Sequence, residues 1–333
     1  MECRIGLVYD LRADYLAEGM SEEETAEFDS EETINALEQA ISSLGYRTDR
    51  IGNAKRLAER LVAGDRWDMV FNIAEGLGGR CRESYAPALL EMYGVPYTFS
   101  DALVCAVTLD KAVAKRLVAQ QGLATAAFAV VRTVADVEAI PLRYPLFAKP
   151  LAEGTGKGVD QNSKIDTPQQ LKTVCAALLK EYHQPVLVEE FLPGREFTVG
   201  ILGTGADAQV LGTMEIEVLK KDVAAIYSFV NKEEWRTRVK YHPLRDNMTL
   251  KAEVETLALR SYQALECRDG GRVDIRCNAD GKPCFIEVNP LAGLHPTHSD
   301  LPMIARQEGM PYEAMIGAIL DSAFARVAKK NHG

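Results

Sequence analysis

PCFIEVNPLAGLHPTHSDLP, residues 283–302, decides how the chain is read. A short apolar run of Cys284, Phe285 and Ile286 carries Glu287 and Asn289 two positions apart, then breaks into Pro, Gly, His and Ser. Side chains two apart in a strand share a face, so the carboxylate and the amide point the same way. Upstream, RVDIRCN is joined to this run by ADGK, which predicts an antiparallel hairpin. In that register Asp274 stands opposite Glu287 or nearly so, and Arg272 lies on the face of Asp274. Two carboxylates, an amide oxygen and a guanidinium on one face admit two readings. One is the solvated outer face of an antiparallel pair. The other is a Mg2+ site that water and phosphate oxygens complete.

Lysines in apolar settings support the second reading. Lys149 ends the run PLFAKP, where a buried ammonium is costly unless it meets an anion. EGTGKGVD then supplies Gly154, Gly156 and Gly158, flexible enough to fold amides over a phosphate, in an order that is not a Walker A loop. Lys111 in TLDKAVAK and Lys232 in YSFVNKEEW read equally well as surface lysines. LVEEFLPGREF carries Glu189 and Glu190 at a strand end, a Pro-Gly turn, and Glu196 at the next strand. Such a segment can meet an adenine edge and ribose hydroxyls, or it is two solvated glutamates beside a turn.

The chain has 333 residues, 47% apolar and 26% charged, which fits a soluble globular protein of two or three domains. A net charge of −10 argues against nucleic-acid and anionic-membrane partners. MECRIGLVYD reads as a strand and not as a leader, and no apolar run approaches the roughly 18 residues of a membrane helix. Seven scattered cysteines without a CxxC pair predict reduced thiols in a cytoplasmic protein and no structural zinc site.

The first hundred residues read strand–helix–strand–helix–strand: RIGLVYD, DSEETINALEQAISSLG, YRTDRI, a helix over about 54–63, and DMVFNI. Asp29 is the expected cap of the first helix, with Glu32 three residues on. Ile34, Leu37, Ile41 and Leu44 form its apolar face, and Gly45 ends it. This predicts an open parallel sheet, without the GxGxxG of a dinucleotide site. Beyond Leu109 a helix leads to AFAVV, PLFAKP, VDQNSKI, a helix from near Asp166, and VLVEEFLPG. The strands REFTVGIL, QVLGTMEIEV and AIYSFV, a helix in MTLKAEVETLALRSYQALEC, the hairpin and two closing helices follow. The expected class is α/β (α+β), with domains over 1–105, 106–190 and 191–333.

Taken together, VPYTFSDALVCAVTLDKAVAK, FAKPLAEGTGKGV, VEEFLPGREFTVGIL, YSFVNKEEW, GRVDI and FIEVNPLAGLHPTHSDLP resemble the ATP-grasp superfamily and, within it, the D-alanine–D-alanine ligase family. They occur in the family's order over roughly residues 70–310. The resemblance implies three domains, with ATP between a central α+β domain and a C-terminal antiparallel-sheet domain. It also implies a carboxylate that ATP phosphorylates and an amine then attacks. Lys111 and Lys149 would contact the phosphates beneath the loop of Glu153, Gly154, Thr155 and Gly156. Glu189, Glu190, Phe191 and Leu192 would form the adenine hinge, and Glu196 would hold the ribose. Lys232, after Tyr227, would reach the γ-phosphate. Asp274, Glu287 and Asn289 would bind two Mg2+, for which Mn2+ can substitute. Arg272 and the Gly293 amide would face the oxyanion, and Ser299 would bind the second amino acid's carboxylate. A homodimer is implied by analogy alone.

The sequence departs from the family where the first substrate would sit. Glu75 takes the place of a histidine, and Arg80, Arg82 and Glu83 stand where an acidic-glycine element is usual. The arginines either pair with Glu75 and Glu83 or meet a carboxylate on a different substrate. Glu233 follows Lys232 where a tyrosine is usual, and Thr155-Gly156 replaces a serine pair. Glu23, Glu24 and Glu32 are all candidates to hold the first substrate's ammonium. NPLAGLHPTHS is one residue longer than the family's version. The leading expectation is a D-alanine–D-alanine ligase or a close relative making a dipeptide for peptidoglycan. A ligase for another amino-acid or carboxylate pair is the alternative, and a nucleotide-binding module without turnover is the rival from another class.

Overall fold

A computed structural model describes residues 3–219 and 239–331. The N-terminal sheet has the order β2–β1–β3, with β1 (Arg4–Val8), β2 (Arg47–Gly52) and β3 (Met69–Asn72) all parallel. Helix α1 (Arg12–Ala17) follows β1, and α2 (Glu31–Ser43) buries Ile34, Leu37, Ala40 and Ile41 on one stripe. That stripe packs with Ile5, Leu7 and Phe71 of the sheet and with Met315, Ile316, Ile319 and Leu320 of the last helix, α10 (Tyr312–Asn331). The opposite side is covered by α3 (Ala54–Val62) and α4 (Tyr85–Met92) through Leu57, Leu61, Ala86 and Leu90. Each such leucine, isoleucine, phenylalanine or methionine side chain withdrawn from water stabilises the fold by about 1.5–3 kcal/mol.

One local expectation is corrected. Ser30, and not Asp29, caps α2, its side chain accepting from the Thr33 N–H. Asp29 instead faces a cavity, and burial together with nearby Asp10 pushes its carboxyl up to about 8.

Two helices in series, α5 (Ala102–Leu109) and α6 (Lys111–Gln120), lead to an antiparallel sheet of order β4–β7–β5–β6. Its strands are β4 (Phe128–Val131), β5 (Leu146–Pro150), β6 (Lys164–Ile165) and β7 (Val186–Glu190). Within VDQNSKI only Lys164 and Ile165 are strand, because Asp160 organises a turn by accepting from the Asn162 N–H. Helix α7 (Pro168–Tyr182) starts at a Thr167/Gln170 capping box and packs Leu171 and Cys175 against the sheet.

The third sheet is antiparallel with the order β10–β9–β8–β11–β12. Its members are β8 (Glu196–Leu202), β9 (Gln209–Val218), β10 (Val239–Pro243), β11 (Gly270–Cys277) and β12 (Pro283–Asn289). Helix α8 (Met248–Ala264) buries Val254, Leu257, Ala258 and Tyr262 against it, and α9 (Asp300–Gln307) sets Leu301 and Ile304 over Gly200. Ala114 and Val118 of α6 share this core with Phe285 and Val288. The Lys115 ammonium donates to the Phe285 carbonyl and to Thr125 Oγ1, at 3.3 and 2.7 Å. Helix α6 therefore ties the central segment to the β11–β12 hairpin. The expected AIYSFV strand lies outside the described residues.

Candidate active site

The hairpin has the register its sequence predicts: Asp274 pairs with Glu287 and Arg272 with Asn289. A bulge after Asp274 leaves Ile286 without a partner residue across the ladder. Asp274 accepts from Thr198 Oγ1 at 2.9 Å, and the Asn289 amide reaches it at 3.4 Å. Arg272 Nε lies 3.5 Å from Asp274 and 3.3 Å from Asp300. Glu287 meets the Lys111 ammonium at 3.4 Å, while Lys111 also donates to the Glu153 carbonyl at 2.6 Å. Among the described residues no three His, Cys, Asp or Glu side chains form a metal cage. Asp274, Glu287 and Asn289 are a partial set of hard oxygen donors, as suits Mg2+, which keeps water or phosphate oxygens for its other positions.

Two cavities meet at this hairpin. The smaller, about 120 Å³, lies between β5, β7 and the hairpin and is lined by Phe147, Lys149, Phe191, Leu192 and Glu196 among others. The Phe147 and Phe191 rings stack with centroids 6.4 Å apart, giving an apolar wall. Glu190 and Gly156 also line it. Glu196, expected to hold a ribose, accepts from Arg276 at 3.0 Å.

Beside the smaller cavity, Glu189 is bracketed by Lys115 at 2.8 Å and Lys149 at 3.2 Å. Burial alone would raise the Glu189 carboxyl, but the two ammonium groups outweigh it and hold it at about 2. Lys115 is fully buried and is a residue that sequence reasoning passed over. The signal was there: it lies four residues after Lys111, on the same helix face.

The larger cavity, about 340 Å³, is lined by Arg272, Asn289, Gly293, Ser299, Asp300, Glu27, Asp29, Glu75, Glu83 and Thr155. Lys111, Glu153 and Glu287 line both cavities. Gly293 stands against Ser299: a Cβ there would come within 2.9 Å of the Ser299 hydroxyl. That hydroxyl accepts from the His295 N–H at 3.0 Å.

The candidates for the substrate's ammonium fall elsewhere. Glu23 accepts from the Tyr182 hydroxyl, Glu24 accepts from the Ser21 N–H, and Glu32 reaches His295 at the rim. Glu27 enters the cavity instead. It pairs with Arg82 at 3.0 Å and Lys157 at 3.3 Å, which keep its carboxyl ionised against the opposing effect of burial. Gly154 makes this possible, because a Cβ there would sit 2.2 Å from a Glu27 oxygen.

Arg82 also donates to the Ala152 carbonyl at 2.8 Å, and Arg80 lies outside, on Asp110 at 3.1 Å. Neither arginine pairs with Glu75 or Glu83, and both guanidinium groups are taken by protein acceptors. Burial, with Glu83 and Glu27 nearby, pushes the Glu75 carboxyl well up, and burial raises Glu83 to about 7. Lys232 and Tyr227 lie outside the described residues.

With this geometry in place, comparison with known proteins decides the family. The family described as D-ala D-ala ligase C-terminus matches residues 117–321. A Bordetella petrii D-alanine–D-alanine ligase is 33% identical over 87% of this chain and 86% of its own length. The chain belongs to the D-alanine–D-alanine ligase family. A Sinorhizobium fredii protein, y4sG, is 32% identical over 78% of this chain and 75% of its own. The Bacillus anthracis D-alanine–D-alanine ligase complexed with ATP superposes with a TM-score of 0.75 at 22% identity, covering 99% of both chains. That likeness speaks for the ATP-grasp fold alone. Among the described residues no helix is long and apolar enough to cross a membrane.

Proposed function

We propose that the protein is an ATP-dependent carboxylate–amine ligase that joins two amino acids through an acyl phosphate, with D-alanyl-D-alanine as the default product. One observation carries this reading: Lys111, Glu153 and Glu287 line both cavities, so a nucleotide in the smaller one would present its terminal phosphate to a ligand in the larger. Bound at Asp274, Glu287 and Asn289, Mg2+ would neutralise phosphate charge and orient the terminal phosphoryl group. Lys149 and Lys111, now paired with Glu189 and Glu287, are the cations positioned to exchange those carboxylates for phosphate oxygens.

The amino-acid carboxylate takes up the γ-phosphoryl group and ADP departs. The second amine then attacks the acyl carbon, a tetrahedral oxyanion forms, and inorganic phosphate and a proton are lost. Arg272 and the Gly293 amide are the donors assigned to that oxyanion, where prepositioned charge acts most strongly. Ser299, next to Gly293, is assigned to the acceptor's carboxylate.

A related amino-acid pair is the second reading, favoured by Glu75 and Glu83, which form no ion pair among the described residues. Cytoplasmic location and a homodimer complete the proposal, and light scattering tests the latter. The function is tested by phosphate release from ATP and Mg2+ with single amino acids and pairs, D and L. Amino-acid-dependent release is expected. No release with any pair would leave a nucleotide-binding module.

A further inference from the structure

Charge around the larger cavity does not balance. Glu27 is matched by Arg82 and Lys157, and Glu153 lies 3.7 Å from the same Lys157. Lys111 is engaged by Glu287 and by the Glu153 carbonyl. Besides Asp29, whose carboxyl burial and nearby Asp10 raise to about 8, Glu75 and Glu83 remain. Both line the cavity, and neither carboxylate makes a hydrogen bond or ion pair among the described residues. Glu83 is only 9% exposed, so little of it meets water. Arg82 points at Glu27 and the Ala152 carbonyl, so it acts on Glu83 through space without pairing with it, and burial still raises that carboxyl.

A buried carboxylate without a counter-ion destabilises a protein, and such a group lining a cavity fits a cation that arrives with the ligand. A simple amino acid brings one ammonium. Two adjacent carboxyls that burial raises can both ionise only against more positive charge than one ammonium brings.

We infer that the Glu75–Glu83 wall receives a second cationic group, and that the preferred substrate at this end is a diamino acid whose side-chain ammonium sits between these carboxylates. This inference rests on the ligase reading. Its geometry also accounts for the arginines: they neutralise Glu27 and Asp110, leaving this wall acidic.

The test compares alanine, 2,3-diaminopropionate, 2,4-diaminobutyrate and ornithine, in D and L forms, as substrates with ATP and Mg2+. Phosphate release gives kcat/KM, and mass spectrometry identifies the product. One diamino acid is expected to exceed alanine by at least about tenfold, because a site built for a charged group penalises the analogue lacking it. In Glu83→Gln and Glu75→Gln, which keep the side-chain shape, that ratio should collapse toward unity. Alanine used as well as every diamino acid would overturn this inference and leave the ligase reading intact. An unchanged ratio in both variants would overturn the assignment to this wall. Absence of turnover with all amino acids would overturn both readings.

Discussion

At the proposed nucleotide end of the site, buried charges are matched within the protein: Glu189 by Lys115 and Lys149, Lys111 by Glu287, and Glu196 by Arg276. At the other end, Glu75 and Glu83 face the larger cavity with no ion pair among the described residues. The contrast separates two ways of preparing a site. Internal ion pairs hold the proposed nucleotide end in shape and would be exchanged when polyphosphate arrives, so little would have to be reorganised. The acidic end holds carboxyls that burial raises, so a cationic ligand against which they can ionise is selected.

The largest expected effect tests the junction of the two ends. Arg272→Met should lower turnover by about 100- to 1,000-fold while nucleotide affinity, read by calorimetry, stays close to that of the unaltered protein. Near-normal turnover would assign the oxyanion to other groups.

The matched end is broken next. Lys115→Met leaves Glu189 with Lys149 as its one remaining ammonium, fully buried, and should destabilise the fold by about 3 kcal/mol. Thermal unfolding should show a drop of several degrees, and an unchanged Tm would mean that Lys115 is not needed to hold Glu189.

The unmatched end answers to pH. Burial raises the Glu83 carboxyl from about 4.5 to about 7. A folded-state value above the unfolded one means that folding takes up a proton. This contribution is complete below about pH 4.5 and is lost as pH rises to about 7. The ligand-free protein should lose on the order of 1–3 kcal/mol over that window, with Asp29 and Glu75 acting in the same sense. Glu83→Gln should flatten the slope of Tm against pH, whereas an identical slope would place Glu83 outside this balance.

The two ends also differed in how legible they were. The hairpin could be read because strands have a period of two and a short turn sets the register, which puts Asp274 opposite Glu287. Lys149 stood out as a charge ending an apolar run, whereas Lys111 read equally well as a surface lysine. Lys115 shares a helix face with Lys111, but only the fold reveals that its ammonium meets Glu189. Glu27 was hidden for a different reason. The acidic stretch after β1 lacks apolar periodicity, so nothing local separates Glu27 from Glu23, Glu24 and Glu32; contacts with Arg82 and Lys157, distant in sequence, make the choice. The same distance dependence paired Arg80 with Asp110 and left Glu83 alone.

The central claim is that ATP activates a carboxylate before the amine attacks. The most direct measurement supplies the acyl-donating amino acid with 18O in its carboxylate and follows the label by mass spectrometry during turnover. Transfer of one 18O atom into each released phosphate, together with a product lighter than its two amino acids by one water, is the predicted result. Ligated product formed with unlabelled phosphate would contradict the acyl-phosphate account.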